Sequence, residues 1–196
     1  MPRFASAFHP LQTLTVAVMS SGMTFLRATL SIALLVGCAP ATAETPLDDL
    51  MSFNDAYRCV PSKDFDALLD GIIQWQANGE TYSGTLAAPS VPAAFREQVG
   101  QPELAIEGNE YRATLPLQGT WQGLPLHSVV VVQWVESESG FYLVFDATPE
   151  QVQAAANKAG FRIPPSGSEY RDEGAIGVNV GVKAYDGRTA LYCVDG

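Results

Sequence analysis

The stretch Phe141–Gly160 (FYLVFDATPEQVQAAANKAG) passes from strand chemistry straight into helix chemistry, and a fainter copy lies 60 residues earlier. Tyr82, Ala87, Pro89, Ala94 and Gly100 return at that offset as Tyr142, Ala147, Pro149, Ala154 and Gly160. In the second copy Phe141–Ala147 is aromatic and β-branched, which suits a buried pleated surface. Thr148 is placed to cap a helix, Pro149 fits its first position, and Gln151 completes a T-x-x-Q capping box. Val152, Ala155, Ala156 and Ala159 fall on one helical stripe. Gly160 tolerates the left-handed conformation that ends helices, and Phe161 follows as its hydrophobic contact. A strand–helix unit that occurs twice predicts a repeat.

The flanking segments extend that expectation. Ser62 caps a predicted helix in which Phe65, Leu68, Leu69, Ile72 and Ile73 share one face, ending at Asn78-Gly79. The first unit continues with a strand near 81–88, a short helix over 92–99 closed by Gly100, and a loop over 101–109. Tyr111, Ala113, Leu115 and Leu117 then alternate with polar residues, with Pro116 marking an edge or a bulge. Residues 124–135 contain four consecutive valines, as a strand apolar on both faces does. After a polar loop over 164–174, Ile176, Val178, Val180, Val182 and Ala184 make an inward row, and Asp186-Gly187 is a two-residue hairpin turn. That register opposes Val182 to Leu191, Val180 to Cys193 and Gly181 to Tyr192. The expected architecture is α+β: a two-layer antiparallel sheet with helices on one face. It is built from a tandem βαββ repeat (about 80–135 and 140–196) after an N-terminal helix. Residues 62–196 form one domain, with 44–61 as a tether and lead-in.

Residues 1–43 read as an export signal. Arg27 precedes the apolar run Ala28–Gly37, and Ala41-Thr42-Ala43 is an A-x-A cleavage site. Met23 makes a conventional start for such a leader. Leu35-Val36-Gly37-Cys38 also resembles the lipobox of bacterial lipoproteins, which implies lipidation of Cys38 and retention at a membrane. Cleavage after Ala43 instead discards Cys38. Either way, export to the periplasm or outer membrane is expected, and Cys59 and Cys193 are left to form a disulfide.

From residue 44 onward, 9 Lys/Arg face 21 Asp/Glu, a net charge of −12. Nucleic acid and anionic membrane surfaces need basic patches, so neither is an expected partner, a lipid anchor aside. Nothing in the chain calls for a cofactor or a metal. The sole histidine beyond the leader, His127, has no second histidine and no cysteine cluster to make a zinc site. Ser128 beside it points to the opposite face of a strand, and no G-x-S-x-G elbow exists.

The expected function is therefore binding, toward a protein or small-molecule ligand. A small hydrolase using His127 and a carboxylate is the alternative. Candidate ligand-facing residues are Trp121, in the Gly-flanked turn Gly119–Gly123, and the outer sheet face of Arg112, Thr114, Gln118, Lys183 and Tyr192, with His127 as a further polar group. Gly177, Asn179 and Gly181 give that face a thin outer row, open to a partner. Trp75 and Trp134 are expected in the core, and Asp64, Asp66 and Asp70 on a solvated helix face.

Overall fold

The structure is a computed structural model that describes residues 45–78, 81–134, 139–172 and 177–195. The leader, with Met23, Cys38 and the A-x-A site, lies outside the described residues, as do Ile176 and residues 135–138. In chain order the elements are β1 (Phe53–Asp55), β2 (Val60–Pro61), α1 (Lys63–Asp70), β3 (Ile73–Asn78), β4 (Thr81–Leu86), a single 3-10 turn (Ala93–Phe95), β5 (Glu103–Glu107), β6 (Glu110–Trp121), β7 (Leu124–Trp134), β8 (Ser139–Phe145), α2 (Pro149–Lys158), β9 (Ser168–Arg171), β10 (Val178–Tyr185) and β11 (Arg188–Asp195). Seven strands form one sheet in the order β5-β6-β7-β8-β11-β10-β9, every neighbouring pair antiparallel. β1–β2 and β3–β4 are separate two-stranded sheets.

The protein is thus mostly β, with two α-helices among the described residues, and the tandem βαββ α+β fold is not what forms. The failure is local and physical. The second copy folds as its residues dictate. Thr148 accepts the Gln151 N–H, Gln151 answers at the Thr148 N–H (2.9 Å), and Gly160 adopts φ +106°. Phe161 then turns into the core, fully buried, its N–H donating to Ala156 O. The first copy lacks a side-chain cap, and residues 92–99 yield only the 3-10 turn, with Phe95 and Val99 packed against the core. Its strand, β4, pairs with β3 instead of joining the large sheet.

The N-terminal helix is also shorter than its periodicity suggests. Ser62 caps it through Phe65 N–H, but Gly71 closes it, pressed against Ala67 O, Pro89 and Ser90. Ile72 and Ile73 keep helical spacing yet lie beyond the helix, where Ile73 opens β3. β5 and β9, both within segments expected to be loops, add an edge strand at each side of the sheet.

One face of the sheet carries the main core. Ala113, Leu115, Val129, Leu143, Phe145, Val180 and Leu191 project into it, with Phe65 and Leu68 of α1 and Val152 and Ala156 of α2 closing it from above. The segment expected to be a tether belongs to this core: Leu47, Leu50 and Met51 are at most 1% exposed. It is held by Leu47 N–H to Thr120 O (2.7 Å) and Thr120 N–H to Thr45 O (3.0 Å). Thr45 O passes so close to Gly119 that a Cβ there would lie 2.4 Å away. Cys59 and Cys193 form a disulfide across a sequence separation of 134, as expected of a protein for an oxidising, exported setting. No helix among the described residues is long and apolar enough to cross a membrane.

Candidate functional site

The far face of the sheet, away from both helices, gathers most of the residues singled out in the sequence. Pairing sets Thr114, Val130, Tyr142, Tyr192 and Gly181 in one row across five strands, and Arg112, Val132, Gly140, Val194 and Asn179 in the next row. This face is not a wet one. Val130, Val132, Tyr142, Val144, Ala190 and Val194 are buried there as a second, smaller apolar cluster, roofed by Trp134, Tyr185 and Tyr192. Tyr142 packs edge-on against both Tyr185 (5.2 Å) and Tyr192 (6.3 Å).

Two cations sit on this aromatic bed. The exposed Lys183 places Nζ 4.2 Å from the Tyr142 ring centre and 5.0 Å from that of Tyr192, within cation–π range. The Arg112 guanidinium lies 6.0 Å from the Tyr185 ring and pairs with Glu110, while its Nε is buried without a hydrogen-bond partner. Burial pushes the Tyr185 hydroxyl pKa up, and nearby Arg112 opposes that rise. Arg112 stands on β6 and Tyr185 on β10, four strand steps apart, or about 19 Å in a flat sheet. Two side chains do not bridge that gap comfortably, so the sheet is coiled and this face is concave.

The remaining candidates lie elsewhere. Trp121 is 1% exposed, which corrects the expectation of an exposed turn residue. Its indole N–H donates to Met51 O (3.0 Å) and its ring meets Phe145 and Phe161. The sequence places a Gly-rich turn around it, but Leu47–Met51, some 70 residues earlier, covers it. Gln118 lies inside the Pro116–Gly119 register shift, in a shallow 420 Å³ pocket with Gln98, Pro125 and His127. His127 occupies the register shift between Leu126 and Ser128, its Nδ1 3.9 Å from Asp146 Oδ2. Arg188 holds the other oxygen of Asp146 at 2.7 Å, so the carboxylate serves two cationic or polar neighbours in solvent. The glycine row is also occupied from within. A Cβ at Gly181 would meet Gly167 O at 2.6 Å, and the Tyr170 ring lies over Gly177.

Opposite this face, α1, β2 and β3 border a half-open cleft of about 670 Å³ at the disulfide end of the sheet. Leu69, Ile73, Trp75, Val131, Phe141 and Val178 supply apolar wall, and Asp66, Asp70, Asp195 and Arg58 supply charge. Trp75 is fixed by its indole N–H bond to Gln133 Oε1 (2.7 Å) and by edge packing on Tyr111 (4.7 Å). Burial, and then the neighbouring Asp66 carboxylate, raise the Asp70 pKa above the ordinary aspartate value. Among the described residues no three His, Cys, Asp or Glu side chains are grouped to hold a metal ion.

One further cation, Arg171, carries no functional signal in the sequence. Arg171 is 3% exposed and donates to the carbonyls of Tyr57, Phe161 (2.6 Å) and Arg162 (3.5 Å) while stacking on the Tyr57 ring at 4.1 Å. Its Nε pairs with Glu169 two residues earlier (3.1 Å), but the Tyr57 carbonyl lies 114 residues away, which no local pattern announces. No known protein family, curated protein or solved structure matches this chain.

Proposed function

We propose that this is an exported, non-enzymatic binding protein that engages its partner on the concave sheet face through Lys183, Arg112 and Tyr192. The observation that carries this reading is the exposed Lys183 ammonium held between the Tyr142 and Tyr192 rings. A cation fixed over aromatic rings loses little side-chain freedom on binding, and Tyr and Arg are the residue types that anchor contacts. The hydrolase alternative rests on the His127–Asp146 approach alone, and that carboxylate is shared with Arg188. In this reading the chain is delivered to the cell envelope by its leader, where Cys38 either carries a lipid or is removed with the signal.

The test is chemical cross-linking in intact cells followed by recovery of partners with wild-type protein, Lys183→Glu and Arg112→Gln. Both variants are expected to lose the partner while keeping the wild-type melting temperature within a few degrees. Equal recovery by both variants rules this face out as the binding surface.

A further inference from the structure

We infer that the cleft beside α1 is a second binding site, built for a basic peptide segment in which a lysine or arginine stands next to apolar side chains. The occupant's cation sits between Asp66 and Asp70, and its apolar groups lie against Leu69, Trp75 and Val131. Three independent properties of the cleft converge on this chemistry. Its volume, about 670 Å³, is that of a ligand site, and its open side lets a chain enter and leave, which an enclosed cavity does not. Its apolar wall is set by the protein's own contacts, because Trp75 is held by Gln133 and Tyr111. Its charge is net negative. Among the described residues that line it, Asp66, Asp70 and Asp195 stand against Arg58, and Asp195 already accepts the Ser139 hydroxyl at 2.7 Å.

Asp66 and Asp70 are four residues apart on α1, so they lie on one face of the helix. The two carboxylates repel, and the raised Asp70 pKa reflects burial together with that repulsion. A cation between them removes the repulsion, so the site is complementary to a positive group before any ligand arrives. The apolar wall excludes a bare hydrated ion as the best occupant and selects a cation with an apolar body. This site is separate from the concave face, and its ligand chemistry is opposite in sign to anything Lys183 and Arg112 attract.

The test is an amide and indole NMR titration of the purified protein with acetyl-Leu-Lys-Leu-amide. Shifts are expected at the Trp75 indole N–H and at the amides of Asp70, Val131 and Ser139, weakening as NaCl is raised. Acetyl-Leu-Glu-Leu-amide should leave those signals in place. Asp66→Asn/Asp70→Asn should weaken the lysine peptide about fivefold or more, each exposed ion pair accounting for a severalfold change. The proposal is overturned if the wild-type shifts fall on the concave face or nowhere. Equal binding of the glutamate peptide overturns it too. So does n-hexylammonium binding as tightly as the tripeptide, which assigns the cleft to small amines. Because the titration reads the wild-type protein directly, a double variant that fails to fold does not decide the outcome.

Discussion

Arg171 is the residue whose removal tests the packing logic most sharply. Its side chain is 2% exposed, and it ties the Tyr57 carbonyl of the N-terminal segment to the Phe161 carbonyl after α2. Arg171→Met keeps the aliphatic volume and deletes the donors. The Tyr57 and Phe161 carbonyls then lose a charged donor, at about 1–3 kcal/mol each, and the stacking on Tyr57 is lost as well, at about 1–2 kcal/mol, while the partly exposed Glu169 carboxylate loses its ion pair and returns to solvent. Against this, the variant no longer desolvates a guanidinium, which offsets several kcal/mol. The expected net loss is about 3 kcal/mol, the lower end for removing one member of a buried charged network. Urea unfolding followed by tryptophan fluorescence should show a lower midpoint at unchanged slope. Arg171→Lys keeps the charge but not the planar fork, and should fall about midway. The reasoning fails if Arg171→Met unfolds within about 0.5 kcal/mol of wild type or is more stable, since the network then contributes no net stability.

Further outcomes follow from other features. Replacing Cys59 and Cys193 by serine opens a loop of 134 residues' separation, and should cost up to about 5 kcal/mol in the chain-entropy account and increase the urea slope; recovery of both cysteines as free thiols from native protein contradicts the bridge. Asp70→Asn should raise the melting temperature at pH 7. The folded pKa is raised, so the destabilisation is absent below the unfolded aspartate range, sets in as pH rises through that range and the higher folded value, and is full above both; the gain should therefore vanish in strong acid. Gly181→Ala should destabilise by about 1–3 kcal/mol, since its Cβ would lie 2.6 Å from Gly167 O; a neutral result would return this strand to the open-face reading. Cys38→Ser should release the protein from membranes if the lipobox is used, and a wild-type N-terminus at Glu44 refutes lipidation.

What could be read from the sequence was what short-range chemistry determines. The α2 cap, its stripe, its glycine end, the Asp186-Gly187 turn and the register of β10 on β11 involve residues that are neighbours in the chain, and all appear as read. The four-valine strand is buried on both faces for the same reason. The misreadings share a cause as well. Ile72 and Ile73 fit a helix by spacing, but pairing with β4 claims Ile73 for a strand. The offset of 60 matched residue types without matching the cap that starts the helix of the second copy. β5 and β9 are five and four residues long, too short for alternation to stand out. Trp121 and Arg171 depend on segments 70 and 114 residues away, a distance over which sequence patterns carry no signal. For the concave face, Lys183, Arg112 and Tyr192 were legible from register; the Tyr142 and Tyr185 bed beneath them was not, because it requires the sheet to coil.

The place of β11 between β8 and β10 has a consequence for the order in which this chain can mature. The strands β5, β6, β7 and β8 pair in the order in which they leave the chain, but β8 gains its second neighbour only when Thr189–Val194 arrive, pairing Phe145 with Thr189 and Gly140 with Val194. Until then Phe141–Phe145 stands as a bare sheet edge, apolar on both sides, with its N–H and C=O groups unspent. Loop closure of this length is slow relative to hairpin formation. The half-folded chain is thus a template for pairing with its own kind, and docking of β11 followed by the Cys59–Cys193 bond is the step that retires it.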